Sequence, residues 1–188
     1  MTTGYQINKQ DGTYFLTWTV IGWVDLFIRD TYKQLIADSL NFCMAKHKLQ
    51  IYAYVIMPSH IHPIANSKNN NLSTVTGHFK SYTSRELIKL IKSPGESRRE
   101  WLLPVFRSAG QLNSRNINNQ IWQQQNHAVE VYSSKFTLSK INYIHNNPVE
   151  AGMVQYPHEY LYSSARDYAG NSSPVKITQI ELHSLFYS

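Results

Sequence analysis

Hydrophobic positions recur at two periods along most of the chain. Tyr14–Ile21 is dense in aromatic and β-branched residues and predicts a first strand. Residues 31–48 then follow a helical spacing, with Leu35, Ile36, Leu40, Cys43 and Met44 along one side. Two further strands are predicted over 50–57 and 60–66, joined by a tight turn at Pro58-Ser59. Asn70-Asn71 offers an N-cap, and Leu72, Val75, Phe79, Tyr82 and Leu90 mark a long amphipathic helix to about residue 92. Ser93-Pro94-Gly95 ends it. Residues 93–120 read as a long loop insertion with one helical turn around Trp101-Leu102-Leu103, and the Ser108-Ala109-Gly110 and Asn113–Asn119 stretches read as loop. Ile121-Trp122 and Ala128–Tyr132 predict a fourth strand. Ser133-Ser134 can cap a helix over 135–147, stopped at Pro148 because the residue before a proline avoids the helical region.

The order β-α-β-β-α-β, followed by a further helix, predicts an α+β fold. It is the ferredoxin-like split βαβ arrangement: an antiparallel sheet with helices packed on one face and the other face left to bind or react. Such a fold assigns no function by itself. The 188 residues suit a single domain with a C-terminal tail from about residue 169.

Composition narrows the picture. Hydrophobic residues make up 42% of the chain, enough for a core. No apolar run is long enough for a membrane span, and Met1–Tyr5 lacks the features of a signal peptide. Cys43 is the single cysteine, which rules out an internal disulfide and a cysteine-built zinc site. A cytoplasmic protein is expected. The net charge is +6, and most of the surplus falls in 80–115, where Lys80, Arg85, Lys89, Lys92, Arg98, Arg99, Arg107 and Arg115 face only Glu86, Glu96 and Glu100. Clustered charge of this kind suits a polyanion such as nucleic acid, and equally a solvated helix.

His60 and His62 stand two residues apart on a predicted strand and so project from the same face, with Ile61 on the other. They are either two partly exposed side chains or two ligands of one divalent cation with positions left for water and substrate. A third ligand is needed. On the helix 135–147, Leu138, Ile141 and Ile144 form the apolar stripe, and Tyr143 lies on the polar side with Lys140 and Asn147. Asn147 is placed to complete the coordination while holding the tyrosine nearby. His127 stands at the head of the fourth strand; His145 lies about 200° round the helix from Tyr143 and is expected to pack or cap.

The run Tyr54–His62, ending His60-Ile61-His62, resembles the histidine–hydrophobic–histidine signature of HUH nucleases. Tyr143–Val154 (YIHNNPVEAGMV) resembles the tyrosine-helix motif of REP-associated tyrosine transposases, relatives of single-tyrosine insertion-sequence transposases. Trp122-Gln123 and Tyr162-Ser163-Ser164-Ala165 fit the same pattern, and the resemblance spans about residues 12–168. It implies the HUH nuclease fold and metal-dependent cleavage of single-stranded DNA carrying a hairpin. Tyr143 matches the nucleophile, His60 and His62 the metal-binding histidines, and Asn147 the further polar ligand. A homodimer is also implied. Mg²⁺ or Mn²⁺ suits a nitrogen- and oxygen-lined open site better than structural Zn²⁺ does. Lys80, Ser84, Arg85, Lys89 and Lys140 are the candidate DNA contacts.

Two alternatives remain at this level. One is a DNA-binding protein that keeps the fold but does not cut; the other is a metal-dependent hydrolase in which the tyrosine only orders water. One departure from the family pattern stands out. Pro63 follows His62 where apolar strand residues are usual, so the strand is expected to be at an edge, bulged or ending, with His62 displaced.

Overall fold

The computed structural model describes residues 6–112 and 118–180. Arg115 and most of the Asn113–Asn119 loop therefore lie outside the described residues. The first strand appears as β1 (Tyr14–Phe15) and β2 (Trp18–Thr19). There follow α1 (Asp30–His47), β3 (Leu49–Ile56), β4 (His60–Ser67), α2 (Leu72–Lys92), α3 (Arg99–Gln111), β5 (Val129–Glu130), α4 (Ser134–Glu150) and α5 (Ala165–Tyr168).

β4 is the central strand. It pairs antiparallel with β3 on one side and with β1 and β2 on the other, and β5 adds antiparallel to β1. The strands on either side of α1 are thus separated by β4, which is the predicted split βαβ arrangement.

Pro63 explains why the first strand is broken. It sits in the middle of β4, not at an edge, opposite Leu16. Its carbonyl accepts from Leu16 N (2.9 Å), but with no N–H it returns nothing. The ladder lapses at Leu16-Thr17, and Thr17 N donates instead to the Asn126 carbonyl (2.9 Å). A register irregularity in β3 between Ile51 and Ala53 faces the same part of β4. The proline is absorbed by its neighbours, and His60 and His62 keep a common face.

Trp18 pairs with Ile61 and Thr19 with His60, so alternate residues divide between the two faces of the sheet. The face carrying Trp18 and Ile61 meets α2, where Trp18 packs on Phe79 with ring centroids 4.7 Å apart. The two long helices α1 and α2 pack together on this side as expected. The opposite face carries Phe15, Thr17, His60 and His62, and α4 crosses it, bringing Tyr143 against Phe15 and His62.

Two predicted boundaries are corrected. Residues 93–120 are not mainly loop, because α3 fills 99–111. Leu102 and Phe106 are wholly buried on one side of it, while Pro104 lies on the exposed side. Gly110 is not a breaker but a contact point: a Cβ there would stand 2.9 Å from the backbone of Asn118. The turn into α3 is pinned by buried Glu96, which accepts from Tyr32 Oη (2.6 Å) and pairs with Arg98 (3.1 Å). Burial opposes its charge, but these partners hold the carboxyl down at about 2. Similarly, α4 does not stop at Pro148; it runs to Glu150 with Pro148 buried inside. Packing of the ring outweighs one missing helical hydrogen bond. Ser133 caps α4 as predicted, accepting from Phe136 N.

The Tyr162-Ser163-Ser164 stretch extends the sheet along β3. Ile56 N donates to the Tyr162 carbonyl, Val55 bridges Ser163, and Tyr54 N donates to Ser164 Oγ (2.9 Å). Ser164 also reaches His145 Nε2 at 2.9 Å, tying α4 to the same edge. No helix among the described residues is long and apolar enough to cross a membrane.

Burial pushes the His145 imidazolium down to about 4, below its ordinary value near 6.5. The unfolded chain therefore binds a proton that the folded one refuses. Stability from this group is full above about pH 6.5 and is lost as pH falls toward 4. Urea unfolding at pH 5 should show a stability lower than at pH 7, with about 1–2 kcal/mol of the loss absent from His145→Gln. An unchanged pH slope in that variant would place the titrating group elsewhere.

Candidate active site

Four rings form a row across the face beneath α4. The centroids of His60 and His62 lie 4.7 Å apart. Tyr143 meets His62 at 5.3 Å, and Trp23 meets His60 at 5.3 Å. Phe15 forms the floor, stacked on His62 at 5.2 Å and edge-on to Tyr143 at 5.8 Å. Lys140 holds its ammonium above the rings of Phe15 (4.8 Å) and Tyr143 (5.7 Å). His62 is only 5% exposed, whereas Tyr143 is 41% exposed, so the phenol faces open space above a buried base.

Both imidazoles are held neutral. Burial, reinforced by His60 beside it, pushes His62 down to about 3. Burial also lowers His60, opposed by a hydrogen bond that its imidazolium would donate to Asn147 and by the charge of Asp25. Each Nδ1 is engaged by a hydroxyl: Thr17 Oγ1 at 3.0 Å for His62 and Ser59 Oγ at 3.1 Å for His60. In the tautomer whose Nδ1–H donates to the hydroxyl, Nε2 keeps its lone pair for a ligand, the arrangement in which histidines hold metals. Two neutral imidazoles and one amide suit a divalent cation with coordination positions left open. Among the described residues, no three of His, Cys, Asp and Glu converge, so any cation held here would need a third donor of another type, such as the Asn147 amide.

The predicted site residues divide sharply. His60, His62, Tyr143, Asn147 and Lys140 come together, all from one chain. The α2 residues do not join them, because α2 lies on the other face. Lys80 is no exposed phosphate contact. The side chain is half-buried, its ammonium donates to the Gln123 carbonyl at 2.9 Å, and burial lowers it to about 8. Lys89 is paired with Glu86 at 2.8 Å, Ser84 is half-buried, and Arg85 lines a groove between α1 and α2. Of the other basic residues in the segment, Arg98 and Arg99 are paired with Glu96 and Glu100. His145 packs, as expected, and His127 is exposed at the left-handed φ of 39°.

The sequence reading missed Phe15, Thr17, Ser59 and Trp23. Thr17 and Phe15 are legible only once the first strand's register is known, since both alternate onto the histidine face. The Trp122-Gln123 pair proves structural. Trp122 Nε1 donates to Thr83 Oγ1 (2.9 Å), and Gln123 bonds β2 through Thr19 while receiving Lys80.

No family model matches the chain. A protein of Haemophilus influenzae, provisionally named a REP-associated tyrosine transposase, is 24% identical over 162 residues, covering 81% of this chain and 79% of the relative. A solved structure of a REP-associated tyrosine transposase bound to a REP hairpin superposes with a TM-score of 0.60. That match covers 92% of this chain and 90% of the other at 19% identity, which establishes a shared fold. The resemblance to REP-associated tyrosine transposases therefore extends over most of the chain in both sequence and architecture.

If Lys80 is a strut and not a DNA contact, Lys80→Ala should cost about 1–2 kcal/mol in urea unfolding, from the Gln123 carbonyl left unmet. Arg85→Ala, at the surface, should change stability by less than about 0.5 kcal/mol. Equal effects would contradict the assignment.

Proposed function

We propose that this chain is a cytoplasmic single-tyrosine DNA transposase that nicks single-stranded DNA beside a hairpin and rejoins the ends. The observation that carries this reading is the contact of Tyr143 with His62 in the same chain, with His60 and Asn147 completing the cluster. The likeness to a REP-associated tyrosine transposase bound to a hairpin supplies the substrate class.

His60, His62 and Asn147 would hold Mg²⁺ or Mn²⁺, which when bound would draw charge from the non-bridging oxygens of the phosphodiester. The buried, neutral imidazoles present lone pairs without protonation competing at neutral pH. Phe15 and Lys140 confine the Tyr143 ring beside them, and the Lys140 charge favours both the phosphate and a developing phenolate. Tyr143 Oη attacks phosphorus and loses its proton as the bond to the 3′ oxygen breaks. The electron pair leaves on that oxygen, which takes up a proton and becomes a 3′-OH. The product is a 5′-phosphotyrosine, and the reverse reaction with a different 3′-OH rejoins strands without ATP. One chain carries the whole set, so a homodimer would pair two sites without being needed to complete either.

The test is an adduct assay with labelled single-stranded hairpins and Mn²⁺, read on a denaturing gel. Wild type should form a labelled protein band, and Tyr143→Phe should form none. Cleavage that persists in Tyr143→Phe would establish a hydrolase, and binding without cutting a non-catalytic DNA-binding protein. Thr17→Val should weaken Mn²⁺ binding roughly 10-fold by freeing His62 Nδ1 from its partner.

An equimolar mixture of His62→Ala and Tyr143→Phe should stay inactive, because neither chain has both halves. Restored adduct would mean that the tyrosine works in the partner's site.

A further inference from the structure

Trp23 is a large apolar side chain left in the open, 58% exposed, at the end of the ring row farthest from Tyr143. Its backbone is held in the left-handed region at φ 55°, directly after Gly22 at φ 64°. Left-handed φ is uncommon for a bulky residue and costs free energy. The conformation is fixed by its surroundings. Val20 N donates to the Ser59 carbonyl, Ile21 N to the Ile121 carbonyl, and Phe27 N to the Pro58 carbonyl, each within 2.8–2.9 Å. Trp23 N itself donates to the Val20 carbonyl at 3.1 Å. The turn is thus bonded to the residues that precede His60, and the indole meets the edge of that imidazole at 5.3 Å with the planes at 69°. Folding gains little burial from this ring, while a strained turn bonded on both sides holds it beside the histidines.

The ring row also fixes a direction. Among the described residues, Tyr143 has a ring contact with His62 and none with His60, and Trp23 has one with His60 and none with His62. In an in-line displacement the attacking and leaving oxygens stand on opposite sides of phosphorus. A phosphate seated over the two histidines, attacked from the Tyr143 end, expels its 3′ oxygen toward the Trp23 end.

We propose that Trp23 is a base-stacking platform for the nucleotide immediately 5′ of the scissile phosphate, the one released with the free 3′-OH. This rests on the function proposed above and adds a positioning role that no residue of the catalytic cluster supplies. An indole presents a π-face to any base, so the contact orders the departing strand with little regard to sequence. It keeps the 3′-OH beside the phosphotyrosine, where rejoining needs it.

The test uses the hairpin oligonucleotide found in the adduct assay and the Tyr143→Phe protein, which binds without cutting. Trp23→Asn is the variant of choice, since asparagine tolerates a left-handed φ. It should weaken binding roughly 5- to 50-fold, the range expected for one stacked base. Trp23→Tyr should restore binding to within about 3-fold. An abasic site placed 5′ of the scissile phosphate should cost as much as Trp23→Asn, and the two together no more than either alone. An abasic site on the 3′ side should add its full cost to that of the variant.

Additive costs on the 5′ side would overturn the inference, as would non-additivity on the 3′ side alone. A wild-type adduct yield that Trp23→Asn leaves unchanged, in both nicking and rejoining, would also sink it while leaving the transposase reading intact. If the wild type forms no adduct, the parent reading fails, and this one with it.

Discussion

Everything in this protein hangs on the alternation of β4. The strand is hydrogen-bonded along both edges, so it cannot slip by one residue without turning its whole hydrophobic set over. Ile61 must face Trp18 and the α2 side, and that requirement alone sends His60 and His62 to the other face. The core thereby sets the direction of the imidazoles. Phe15 and Thr17 are carried to the histidine face by the same antiparallel register. One becomes the floor beneath His62 and Tyr143, the other the partner of His62 Nδ1. Site geometry is a by-product of core packing here.

The second requirement is that α4 stay where the sheet needs it. An amphipathic helix on a partly polar sheet face has little apolar surface to hold it. Ile141, Ile144 and Pro148 are its buried residues. The Ser164 hydroxyl adds a fixed point, joining His145 on α4 to the Tyr54 backbone of β3. His145 and Tyr143 belong to one short sequence motif yet do opposite things. One is turned into the structure and held neutral; the other is turned out over the histidines. Two residues of separation on a helix make that division possible.

Much of this was legible in the sequence, and the rest was hidden for particular reasons. The i, i+2 histidines, the cap at Ser133 and the two long helices rest on local periodicity, and the structure carries them within a residue or two. The α3 helix was not legible because Pro104 and Gly110 are breakers by propensity. Their tolerance depends on an exposed helix side and on the chain at Asn118, neither of which is local information. Pro148 misled in the same way, since burial of its ring decides the matter. Lys80 reads as a surface cation on an amphipathic helix. Only the return of the chain at Gln123 makes it a half-buried strut. Pro63 is the reverse case: the disturbance it predicted is real, but it falls on the neighbouring strand.

The charge pattern bears on how a nucleic acid would be held. Composition placed the positive surplus in 80–115, yet Lys80, Lys89, Arg98 and Arg99 are committed to partners within the fold. Lys80 and Lys89 also lie on α2, across the sheet from the histidines. Of the candidate DNA contacts, Lys140 is the one that meets the ring row. Affinity carried by phosphate contacts falls steeply with salt, in proportion to the number of phosphates neutralised. Affinity carried by stacking on an exposed ring such as Trp23 does not. On the proposed function, this face would hold unpaired bases through aromatic surface more than through positive charge.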